Sequence, residues 1–77
     1  MNNEDFMGLL QLTLHKKTKN DVELRVYFNP HDLGPLVEFL DDNKQRHTLV
    51  YQKTGGEPLA IEEPIEEIVD FLREIYS

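Results

Sequence analysis

Apolar and polar residues alternate one for one along two stretches of the first third of the chain. Leu10, Leu12 and Leu14 alternate with Gln11, Thr13 and His15, and Val22, Leu24, Val26 and Phe28 alternate with Glu23, Arg25 and Tyr27. A period of two places each apolar set on one face of an extended segment, so both stretches predict strands with a single buried side. Lys16-Lys17-Thr18-Lys19-Asn20-Asp21 between them is polar and turn-rich, which predicts that the two strands form an antiparallel hairpin. Residues 36–40 and 48–52 flank a turn-like Asp41-Asp42-Asn43-Lys44 and predict a second hairpin, with a helix over 35–43 starting at Pro35 as the rival reading. The segment 29–35 contains two prolines and a glycine and predicts a loop. Thr54-Gly55-Gly56-Glu57-Pro58 predicts a break before the last element.

Towards the C-terminus the period changes. Ile61, Ile65, Ile68, Val69, Leu72, Ile75 and Tyr76 fall within a stripe about 120° wide when residues are set 100° apart. Glu63, Glu67, Asp70 and Glu74 form the opposite ridge. The pattern predicts an amphipathic helix with Pro64 at its first position, where the missing N–H costs nothing and acidic neighbours suit the helix dipole. Near the N-terminus, Asn3 followed by Glu4 and Asp5 predicts a brief helical lead-in over residues 3–9, shortened by Gly8. The expected architecture is a single α+β domain over residues 1–77. It is a four-stranded antiparallel meander packed on one face by the C-terminal amphipathic helix.

The second hairpin is apolar on both faces. Val37 and Phe39 alternate with Leu36 and Leu40, and Leu49 and Tyr51 are opposed to Val50. One helix covers one side of a sheet, so the other side must be covered by residues 3–9 or by another chain. A homodimer is the expected solution.

Charge sharpens the division of the surface. Eight Lys and Arg against fifteen Asp and Glu give a net charge of −7 over 77 residues, and residues 57–77 hold seven of the acidic side chains but only Arg73 among the basic ones. The ridge of Glu63, Glu67, Asp70 and Glu74 is therefore expected either to keep the chain soluble or to dock a basic protein partner. No apolar run approaches the roughly 18 residues of a membrane span, and Met1-Asn2-Asn3-Glu4-Asp5 lacks the basic start of a signal peptide, so the expected location is cytoplasmic without membrane contact. With no cysteine, a disulfide framework, a thiolate nucleophile and a Cys-ligated zinc are all excluded.

The chain carries no catalytic pattern. His15, His31 and His47 fall on three different predicted elements, and none has a second histidine two to four residues away. His31-Asp32 is the one His–carboxylate neighbour pair, and adjacent side chains generally point apart. The single serine is Ser77, and Glu62-Glu63 with Glu66-Glu67 belong to a solvated helix rather than to a dry cleft that would split two carboxyl pKa values. Gly55-Gly56 beside Lys53 resembles a phosphate-binding turn, but the acidic block that follows would repel an anion. No catalytic residue, metal or cofactor is expected, and the chain reads as a small acidic, non-enzymatic protein-interaction module. The alternative is a single-stranded nucleic-acid-binding protein using an exposed sheet face with Arg25, Tyr27, Arg46 and Lys53. Against it, affinity for phosphate backbones is built from positive charge, and a chain at −7 starts with the wrong sign.

Overall fold

A computed structural model describes residues 8–76. Leu10–Thr13 (β1) and Arg25–Phe28 (β2) pair antiparallel, with Leu10 opposite Phe28 and Leu12 opposite Val26. Leu10, Leu12 and Phe28 are buried on one face, as the alternation predicts, while Gln11, Thr13, Arg25 and Tyr27 share the other. β2 is shorter than its alternation predicts, and Val22 and Leu24 stand 76% and 54% exposed. The reason lies in the connecting loop. The Asp21 carboxylate accepts hydrogen bonds from the Lys17 and Thr18 N–H groups and from Thr18 Oγ1, closing a local polar turn that keeps residues 21–23 out of the ladder.

The next segment differs from the predicted loop. Asn29 caps a single 3-10 turn, Pro30–Asp32, by accepting from the His31 N–H, and the chain then enters the longest strand, Leu33–Leu40 (β3). Gly34 makes this possible, because a Cβ there would lie 3.2 Å from the Tyr51 carbonyl oxygen and the Gln52 carbonyl carbon of the neighbouring strand. The ladder shifts register between Leu33 and Leu36, and Pro35 sits where an edge strand tolerates a missing N–H. The rival helix over 35–43 is therefore not formed. Asp41 turns the chain, its Oδ1 accepting from the Asn43 and Gln45 N–H groups while Lys44 takes a left-handed φ of 62°. Arg46–Gln52 (β4) then returns antiparallel to β3.

A fifth strand, Leu59–Ile61 (β5), is absent from the sequence reading and changes the topology. It pairs with β4 as Thr48–Ile61, Leu49–Ala60 and Val50–Leu59. On its other side it meets the end of β1 through a bridge between Leu14 and Ile61, with the His15 N–H bonded to the Ala60 carbonyl and the Glu62 N–H to the Thr13 carbonyl. The expected four-stranded meander is thus replaced by two small antiparallel sheets, β1-β2 and β3-β4-β5. They are joined edge to edge by β1 and β5 rather than by β2 and β3.

The helix Ile65–Tyr76 (α1) covers one face of this surface. Pro64 lies just before it, and its carbonyl accepts the first helical bonds from Glu67 and Ile68, so Pro64 caps the helix rather than opening it. Ile61 belongs to β5 and not to the helical stripe. Ile68 is fully buried against Leu10, Leu12, Phe28, Val50 and Ile61, with Phe71, Leu72 and Ile75 packed around it. The packed face is therefore rotated towards Phe71, which lies about 60° from Ile68 on one side, and away from Tyr76, about 80° on the other and exposed. No described helix is long and apolar enough to cross a membrane. The expected N-terminal lead-in lies almost entirely outside the described residues, of which Gly8 and Leu9 are the first.

Candidate functional site

Cross-strand partners share a face, so the pairings Val37–Leu49 and Phe39–His47 place four side chains together on the side of β3 and β4 that α1 does not cover. Tyr51 follows Leu49 on the same side of β4. Val37 is 43% exposed, while Phe39, Leu49 and Tyr51 are half-buried. At one end of this apolar strip three rings meet. The His15 and His47 centroids are 4.4 Å apart, and Phe39 lies 5.5 Å from His15 and 5.4 Å from His47.

His47 is buried, and both of its ring nitrogens are occupied. Nε2 lies 2.7 Å from Asp41 Oδ2, and Nδ1 lies 2.8 Å from the Glu62 carbonyl oxygen. Carboxylate and carbonyl are both acceptors, so making the two bonds together requires a proton on each nitrogen, which is the imidazolium form. Burial opposes that charge. The Asp41 carboxylate, the Glu62 carbonyl and the Glu62 carboxylate outweigh it and hold the His47 pKa above its ordinary 6.5. Asp41 responds in the opposite sense. The His47 ring, and then the Gln45 and Asn43 N–H groups, hold its carboxyl below the ordinary 3.8.

Glu62 joins the two histidines. Its Oε1 is 2.8 Å from His15 Nδ1 and 4.0 Å from His47 Nδ1. One ligand-capable atom from each of His15, His47 and Glu62 lies within 4.8 Å of the others. His15 follows β1, His47 is the second residue of β4, and Glu62 follows β5, so the cluster exists only because β5 lies between β1 and β4. Beside it opens a cavity of about 430 Å³, lined by His15, Glu62 and Asp41 and by Lys16, Lys17 and Lys19 of the β1–β2 loop. A search for histidines close in sequence misses this group, because its members are separated by 32 and 15 positions along the chain.

The residues singled out in the sequence fall in several places. Glu63 precedes α1 and turns inward, accepting from the Thr13 N–H and Oγ1, while its carbonyl accepts from the Thr48 hydroxyl. Glu67, Asp70 and Glu74 are exposed on α1, with Asp70 3.8 Å from Arg73. Arg25 is paired with Glu23, and Tyr27 accepts a hydrogen bond from the Gln11 side chain. Arg46 points to the helix-covered side, 2.7 Å from Glu66 and 3.6 Å from Glu38, while Lys53 is exposed in the loop after β4. Arg46 is thereby separated from Arg25 and Tyr27. His31 is exposed, its ring edge-on to Tyr76 at 5.9 Å, and takes no part in the His15–His47 cluster. Compared with protein-family models, curated proteins and solved structures, the chain matches none of them.

Proposed function

We propose that this chain is a small acidic, non-enzymatic interaction module that acts as a homodimer through the outer face of β3 and β4. The supporting observation is the strip of Val37, Phe39, Leu49 and Tyr51. These four side chains are uncharged and lie on the opposite side of the sheet from α1, with the His15 ring edge-on to the Phe39 end. A second copy fits this face better than an acidic or basic partner does, because the strip offers no formal charge to pair. Two copies related by a two-fold axis bring identical apolar strips together. β3 adds an unpaired strand edge among the described residues, available to the same neighbour.

Light scattering on the eluting protein tests the reading. Wild type should run at twice the 9.1 kDa chain mass at micromolar concentration, and Val37→Lys should run as a monomer with an unchanged far-ultraviolet circular dichroism spectrum. A wild-type protein that stays at the single-chain mass up to the highest soluble concentration would remove the dimer.

A further inference from the structure

We propose that His15, His47 and Glu62 bind one divalent transition-metal ion of the zinc type, with Asp41 orienting His47 from behind. The inference is independent of the dimer, since all of these side chains belong to one chain. Tetrahedral ligands about 2.0–2.2 Å from zinc lie about 3.4 Å from one another. The Glu62 Oε1 separations from His15 Nδ1 and His47 Nδ1, 2.8 and 4.0 Å, bracket that distance. A movement of about 1 Å in the partly exposed Glu62 carboxylate equalises them, because the ligand atoms all lie within 4.8 Å of one another.

The donor set selects the class of ion. Two imidazoles and one carboxylate suit zinc and its transition-metal neighbours, whereas calcium and magnesium seek six or more oxygens. The surroundings are also those of a ligand. A metal-bound histidine ordinarily donates its second ring N–H to a carboxylate, which fixes the ring and its tautomer, and Asp41 already holds His47 Nε2 in that way at 2.7 Å. His47 Nδ1 is left on the Glu62 side, 2.8 Å from its carbonyl oxygen and 4.0 Å from its carboxylate. Asp41 is itself fixed by the Asn43 and Gln45 N–H groups, so its position does not depend on the ion. Loading exchanges the proton on each ligating Nδ1 for the ion and frees the Glu62 carbonyl from its bond to His47. The cavity beside His15 and Glu62 leaves room for water to complete the set.

The untagged full chain titrated calorimetrically with zinc chloride, beside magnesium chloride, tests this. One zinc ion per chain is expected, without measurable magnesium binding. His15→Ala and Glu62→Gln should each weaken zinc at least about 10-fold, and Asp41→Asn about 10–100-fold, as the loss of an orienting carboxylate does elsewhere. His31→Ala should bind as wild type does. Nuclear magnetic resonance of the cobalt-loaded wild type needs no variant and should shift the His15 and His47 ring signals far more than those of His31. Absence of zinc binding tighter than about 100 µM would overturn the proposal. So would unchanged affinity in folded His15→Ala or Glu62→Gln, or cobalt shifts centred on His31.

Discussion

Replacing Ile61 by alanine should remove a large part of the protein's stability. Ile61 is fully buried, pairs with Thr48 of β4, bridges Leu14 beyond β1 and packs in the same cluster as Ile68. It is thus the residue at which both sheets and the helix meet. Truncating a buried isoleucine to alanine costs about 2–5 kcal/mol, because apolar burial is lost and a cavity is left. A chain of 77 residues at about 0.05–0.15 kcal/mol per residue has only about 4–12 kcal/mol in total. Urea unfolding should show the midpoint falling by at least about a sixth, to the point of lacking a folded baseline if the wild type lies at the lower end. Ile65→Ala, on the half-buried first turn of α1, should cost clearly less. Equal losses at the two positions would contradict the central placement of β5.

The second large effect is in the pH dependence of stability, measured on metal-free protein. His47 is faced by Asp41, by both the carbonyl and the carboxylate of Glu62, and by the His15 ring. Because its folded pKa is raised above 6.5, its contribution is fully present below 6.5 and is lost as pH rises through the folded value. Asp41 has the opposite sign. Its folded pKa is lowered below 3.8, so its contribution is present above 3.8 and is lost as pH falls through the folded value. The pair therefore stabilises most between about pH 4 and 6.5, and the melting temperature should peak in that window and decline on both sides. Asp41→Asn should lower the peak and move the alkaline decline to lower pH. His47→Ala should remove that decline and cost about 1–3 kcal/mol through the Glu62 carbonyl left without a donor. A wild-type melting temperature that rises steadily from pH 6 to 8 would contradict the charged state assigned to His47.

What the chain reveals in one dimension is whatever repeats locally. The alternation of Leu10, Leu12 and Leu14 and the helical spacing of Ile68, Leu72 and Ile75 report their buried faces directly, because one set of neighbours covers each of them. Leu59–Ile61 is too short to display any period, and its assignment depends on β4 and β1 lying on either side. Ile61 also happens to fall in phase with the helical stripe, which hides the strand. Val22 and Leu24 mislead for a related reason: their alternation continues that of β2, but the Asp21 turn decides where the ladder begins. The two-sided apolar character of residues 36–40 and 49–51 is legible because it breaks the expected alternation, and the structure places Val37 and Phe39 on the side away from α1. The His15, His47 and Glu62 group was not legible. Each member is an ordinary polar residue in its own segment, and only the insertion of β5 between β1 and β4 brings them together.

The claim that the outer face of β3 and β4 is the working surface is tested most directly by residue-resolved amide spectra, with the diffusion they report, recorded over a dilution series of the wild-type chain. The account predicts the diffusion of a dimer of twice the 9.1 kDa chain mass and, where dilution dissociates it, shifts centred on Val37, Phe39, Leu49 and Tyr51, with the exposed α1 residues Glu67 and Asp70 unmoved. Diffusion that stays that of a single 9.1 kDa chain at every concentration, or changes confined to α1, would contradict it.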